Sequence, residues 1–171
     1  MKKELELKLV ELHPQIFRDY GGDMTQTCMH WGLMCGDGWY FLIHNLCKKL
    51  DEISSKTGVI IIADQVKEKF GGLRFYYHIE NLDVTVIDKF SKWFQEFMCN
   101  RRWGIQYNNI ISFKNKYIFK SVKEKIRAVV NDAESRSYEI CESCGSYGTY
   151  RRGNWVRVLC DKCEKKKDKL K

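Results

Sequence analysis

The apolar positions first recur with a helical period. Leu5, Leu9 and Leu12 fall at i, i+4 and i+7, which predicts a helix over residues 3–12, ended by Pro14. Residues 20–37 show no period and carry Gly21, Gly22, Gly32 and Gly36, so they read as irregular. Trp39, Leu42, Ile43, Leu46, Cys47, Leu50 and Ile53 then make the clearest amphipathic stripe, with Asp37 placed to cap the helix and Gly58 to end it.

At Val59 the pattern changes. The β-branched run Val59–Ile62 opens a strand reaching Phe70, Gly71 and Gly72 form a turn signal, and Leu73–Ile79 returns with period two. That alternation puts Leu73, Phe75 and Tyr77 on one face and Arg74, Tyr76 and His78 on the other. A further helix is expected from Val84 to Asn100, a short strand from Ile105 to Phe113, and a last long helix from Phe119 to Ser137 along Val122, Ile126, Val129, Val130 and Ala133. The expected fold class is α+β. A helix–β-hairpin–helix body over residues 1–137 leads through its last helix into a small C-terminal hairpin domain, 138–165, and a basic tail, 166–171.

Chemistry is densest in that hairpin domain. Cys141 and Cys144 are two residues apart, and after fifteen residues Cys160 and Cys163 repeat the spacing. Each C-x2-C turn brings two thiolates to one point, and two such turns complete a tetrahedron. The segment from Tyr147 to Leu159 reads as a β-hairpin with Arg152, Gly153 and Asn154 at its tip. The expectation is a zinc ribbon holding one structural Zn2+ through Cys141, Cys144, Cys160 and Cys163. Cys28, Cys35, Cys47 and Cys99 have no regular framework, and Cys47 and Cys99 read as small buried hydrophobes.

Charge adds a direction. The chain carries a net charge of +8, and residues 151–171 hold nine Lys or Arg against three Asp or Glu. The basic excess therefore lies in the second half of the ribbon and the tail, which favours an acidic partner such as nucleic acid. The plainer account is a solvated tail that keeps the protein in solution. No apolar run approaches the roughly 20 residues that span a bilayer, and the charged start Met-Lys-Lys-Glu lacks a signal-peptide core. A soluble, cytoplasmic protein without membrane contact is expected.

Three segments together resemble a family of small proteins from bacteriophages and bacterial genomes. The first is Trp31, Gly32, Cys35, Gly36, Asp37, Gly38 and Trp39 with the later Cys47; the second is the unbroken run Val66–Tyr76. The third is the knuckle Cys141, Glu142, Cys144, Gly145 followed by Trp155, Leu159, Cys160, Asp161 and Cys163. The resemblance spans residues 31–163 and implies a phage or prophage origin, hence the host cytoplasm. It brings no established activity. Residues 81–120 read as an insertion relative to the family.

Two further patterns bear on function. Lys67, Lys69 and Arg74 interleave with Phe70, Phe75, Tyr76 and Tyr77 on the central hairpin, and Arg151, Arg152, Trp155 and Arg157 repeat that mixture in the ribbon, followed by Lys165, Lys166 and Lys167. Cations meet phosphates and aromatic faces stack on bases, so Lys67, Lys69, Arg74, Tyr76, Arg151, Arg152, Trp155, Arg157 and Lys165–Lys167 are the candidate nucleic-acid contacts. The competing account is a half-buried hairpin with aromatics inward and charges in water.

Gly36-Asp37-Gly38-Trp39 stands before a helix, where backbone N–H groups suit an anion. The plainer reading makes it a tight turn with Trp39 as core anchor. With Arg74 these residues would line a small-ligand pocket. This second functional reading is a host-interaction or anti-defence protein that inhibits a host enzyme or sequesters a nucleotide. Catalysis is disfavoured: His30, His44 and His78 have no partner at a recognised spacing, and four cysteines would close the zinc sphere to water. Cys35 near His30 would need an oriented base to act as a nucleophile.

Overall fold

The computed structural model describes residues 1–80, 107–153 and 155–168. Helix α1 spans Lys3–Leu12, strand β1 Leu33–Met34, helix α2 Tyr40–Thr57, strands β2 Ile60–Lys69 and β3 Gly72–Glu80, and helix α3 Tyr107–Arg136. Strands β4 Thr149–Arg151 and β5 Arg157–Leu159 and helix α4 Asp161–Asp168 complete the chain, with short 3-10 turns at Cys28–Trp31, Asp37–Trp39 and Ser137–Glu139. Helices and strands are mixed in an α+β arrangement. No described helix is long and apolar enough to cross a membrane.

β2 and β3 form the expected antiparallel hairpin, with a register irregularity between Ala63 and Gln65. β1 adds a parallel edge, pairing Leu33 with Val66 and Met34 with Lys67. The period-two reading of β3 holds: Leu73 and Phe75 are buried, while Tyr76 is exposed. α2 buries Leu42, Ile43, Leu46, Cys47 and Leu50, and Gly58 ends it in the left-handed conformation. α3 packs Val122, Ile126, Val130 and Ala133 into the same core. Fully burying a Val or Ile stabilises by about 1.5–3 kcal/mol each, so this stripe is enough to hold α3 on the sheet. The outer edge of β3 is closed by α3 and the turn after it. Ser137 Oγ accepts from the Leu73 amide at 2.8 Å, and Glu134 accepts from the Phe75 amide at 3.0 Å.

Three local expectations change. Residues 107–113, expected within a short strand, are the first turns of α3. Their apolar positions Ile110, Phe113 and Tyr117 already recur at i, i+3 and i+7. The hairpin turn sits one residue earlier than the Gly71-Gly72 signal. Lys69 pairs with Gly72, so the turn residues are Phe70 (φ 55) and Gly71 (φ 80), both left-handed as a type I′ turn requires. Gly72 belongs to β3, where a Cβ would lie 2.5 Å from Cζ of Tyr138. Lastly, Asp37 does not cap α2; its carboxylate accepts from the Lys2 amide at 2.7 Å. The helix expected over Val84–Asn100, with Cys99, lies outside the described residues, as does Asn154.

Candidate metal centre and basic aromatic groove

The ribbon brings its four cysteines to one point. The knuckle turn is closed by the Gly145 amide donating to the Cys141 carbonyl at 2.8 Å, with Gly145 at φ 78. β4 and β5 pair Thr149 with Leu159 and Arg151 with Arg157, so Cys160 follows β5 directly and Cys163 falls in the first turn of α4. The sulfurs of Cys141, Cys144, Cys160 and Cys163 all lie within 4.8 Å of one another, with 3.6 Å between those of Cys144 and Cys160. Four thiolates about 2.3 Å from one tetrahedral ion stand at such separations, so the donor set fits a soft divalent metal.

Hydrogen bonds from Ser146 hold the Cys144 thiol down to about 6, while desolvation pushes Cys141 and Cys163 up. A bound divalent cation deprotonates such thiols. Among the described residues this is the one group of three or more His, Cys, Asp or Glu side chains able to share an ion. Cys28 is exposed and Cys35 buried, and neither belongs to it.

The ribbon is locked onto the body through the Gly-Asp-Gly-Trp segment. The Gly36 amide donates to Glu142 Oε1 at 3.0 Å, the Gly38 amide to the Glu142 carbonyl at 2.8 Å, and the Trp39 indole to the Ile140 carbonyl at 2.9 Å. Trp39 is fully buried, as an anchor should be. The backbone donors that suggested an anion site are therefore taken up within the chain, Gly36 by the Glu142 carboxylate and Gly38 by the Glu142 carbonyl. Burial raises the pKa of that carboxyl, opposed by the nearby Arg157. A Cβ at Gly36 would lie 2.2 Å from the Glu142 carbonyl oxygen, and one at Gly38 would lie 2.2 Å from that of Cys141. Both glycines are thus needed for close backbone approach. A groove of about 770 Å³ runs along this seam past Asp37, Gly38, Tyr40, Phe41 and Arg136. Arg74 does not line it.

The tips of the two hairpins converge, although about 85 residues separate them in sequence. Lys67, Glu68, Lys69 and Phe70 from the central hairpin and Trp155 and Val156 from the ribbon line one groove of about 550 Å³. The Trp155 indole donates to Glu68 Oε2 at 3.3 Å, and the other Glu68 oxygen accepts from the Gly71 amide at 2.6 Å. Gly71 allows this close approach, since a Cβ there would lie 3.1 Å from the Val156 side chain. Lys69 lies over the Phe70 ring and Lys67 over the Tyr76 ring, each at 5.4 Å.

The other candidate residues are placed unevenly. Arg152 and Lys165 and Lys166 are exposed, and Lys165–Lys167 form the last turn of α4. Arg151 is engaged within the ribbon by Asp161 and by Glu164 at 2.9 Å. Arg74 donates to the Leu73 carbonyl and the Tyr138 hydroxyl at 2.8 and 3.1 Å. Arg157 is half-buried, and its Nε has no hydrogen-bond partner among the described residues. Burial pushes the Cys35 thiol up to about 12, which opposes a nucleophilic role.

Sequence reasoning missed Glu142, Glu68 and Tyr138. Glu142 stood inside the cysteine knuckle, but its partner lies 106 positions away, beyond any local pattern.

No protein-family model, curated protein or solved structure matches the chain.

Proposed function

We propose that this chain is a non-enzymatic accessory protein of phage type, braced by one structural zinc ion, that binds nucleic acid. The observation that carries the reading is the convergence of Lys67–Phe70 with Trp155–Val156 on one groove. Two separate basic and aromatic segments supply cations for phosphates and π-faces for bases on a single surface. Arg152 and Lys165–Lys167 extend the positive field along the ribbon. Zinc suits the four-sulfur set and acts on structure, because four protein ligands leave no position for a reacting water. Arg151 and Arg74 are held by Glu164 and Tyr138 and are not among the residues lining the groove.

The test is affinity against salt. Changing Lys67, Lys69 and Arg152 to Gln should weaken binding of labelled oligonucleotides. On single strands it should also flatten the log–log salt slope by about 0.7 for each phosphate that is no longer neutralised. Unchanged affinity and slope would sink the reading.

The groove beside Asp37 and Gly38 favours a second reading, capture of a host protein or a nucleotide. There Phe41 is 72% exposed, edge-on to the ring of Tyr40 at 5.2 Å, and offers an apolar contact beside the groove. Native mass spectrometry separates the two. Nucleic acid released by salt supports the first, and a retained protein or small nucleotide supports the second.

A further inference from the structure

We infer that the groove between the hairpin tips takes an unpaired nucleobase between Phe70 and Trp155, so that the protein selects single strands over duplex. This rests on the nucleic-acid reading and names its substrate class.

Phe70 and Trp155 are 70% and 65% exposed, and both face the same small groove. Two large rings held in water at one place are costly unless something covers them. Phe70 also occupies a left-handed turn position, φ 55, where Gly or Asn sits with less strain and a bulky ring is an outlier. The ring stands at the exposed tip of the turn, with Lys69 Nζ 5.4 Å from its centre. Strain of this kind is characteristic of functional positions.

Trp155 is oriented as well as exposed. Its indole N–H is fixed on Glu68, whose second oxygen is fixed by the Gly71 amide of the same turn. The one acidic side chain lining the groove among the described residues is thus occupied by internal donors, while Lys67 and Lys69 line the same groove. Aromatic faces flanked by lysines match a base joined to a phosphate. A duplex keeps its base faces inside the stack, and only an unpaired base offers them. The groove's volume of about 550 Å³ lies within the range of small-ligand sites.

The experiment uses the full zinc-loaded chain and fluorescence anisotropy with four ligands: a single-stranded 12-mer, the matching duplex, an abasic 12-mer and a mononucleotide. The single strand should bind at least tenfold tighter than the duplex, the abasic strand or the mononucleotide. Phe70→Ala and Trp155→Ala should each weaken single-strand binding by roughly 5- to 150-fold and leave duplex binding within about twofold. If either variant melts early, Phe70→Leu and Trp155→Leu keep bulk while removing the π-face. Equal affinity for intact, abasic and duplex ligands would overturn the inference and leave a phosphate-only surface. A mononucleotide that binds as tightly as the 12-mer would overturn it in favour of a small nucleotide ligand. No binding to any ligand would remove this inference and the function proposed above together.

Discussion

The amide of Gly36 donates to the carboxylate of Glu142 at 3.0 Å, joining the start of α2 to the cysteine knuckle across 106 positions of sequence. Gly38 and Trp39 make parallel bonds to the Glu142 and Ile140 carbonyls. The four-cysteine hairpin is therefore built into the body, and changes on either side of the seam should be felt on the other.

Gly38→Ala tests that seam. The new Cβ would meet the Cys141 carbonyl oxygen at 2.2 Å and the Gly145 nitrogen at 2.4 Å, both backbone atoms that cannot swing aside. We expect a loss of about 1–3 kcal/mol in chemical denaturation, together with faster proteolysis after Ile140. Gly153→Ala, where nothing lies within 4 Å, is the control and should stay within about 0.5 kcal/mol of the parent.

Metal removal should reach beyond the ribbon. Structural zinc in small peptide sites is worth roughly 10–16 kcal/mol at neutral pH, and β4, β5 and α4 are only three, three and eight residues long. Chelation under reducing conditions should release one zinc per chain and unfold the hairpin. With the Ile140 and Glu142 hydrogen bonds broken, Trp39 fluorescence should shift and the Tm of the body should fall. A body transition unchanged after complete metal removal would show that the seam transmits nothing.

Gly72 and Tyr138 should behave as a coupled pair. Gly72→Ala drives a methyl to 2.5 Å from the Tyr138 ring and should cost about 1–3 kcal/mol. In a Tyr138→Ala background the same change should cost less, leaving an interaction energy of about 0.5–3 kcal/mol in a double-mutant cycle. Additive costs would mean that the ring moves aside freely.

His44 carries a pH prediction. Burial lowers its pKa below the ordinary histidine value, helped by His13, whose Nε2 lies 2.9 Å from His44 Nδ1, and by Lys48. Asp51 faces His13 from the other side at 2.6 Å. The folded state thus favours neutral His44. This contribution to stability is full above the unfolded histidine value and is lost as pH falls through the lower folded one. NMR titration should place the His44 midpoint below that of a histidine peptide. His13→Gln should return it only part of the way, because burial is the larger cause. An unshifted midpoint in the parent would refute this.

Much of the body was legible in the sequence because its signals are local. The stripe from Trp39 to Ile53, the alternation of Leu73, Phe75 and Tyr77, and the run from Val122 to Ala133 each follow from the period of one element against one core. The paired C-x2-C spacing placed four sulfurs together for the same reason, since each turn is a short-range feature. The turn at Phe70-Gly71 was misplaced by one residue. Two adjacent glycines look alike in sequence, and only the strand register decides that Gly71, at φ 80, takes the turn while Gly72 lies in the strand against the ring of Tyr138.

What the sequence by itself determined, then, was the kind of α1, α2, the β2–β3 hairpin and the second half of α3, together with the four cysteines of the candidate metal centre, because periodicity and knuckle spacing act within a few residues. Tertiary structure alone decided that Glu142 occupies the Gly36 and Gly38 amides and that Arg151 and Arg74 turn to internal partners. It alone decided that Lys69, Phe70 and Trp155 share one groove. These are contacts between segments 64 to 106 positions apart or between neighbours with several partners to choose from, and packing of the whole chain selects among them.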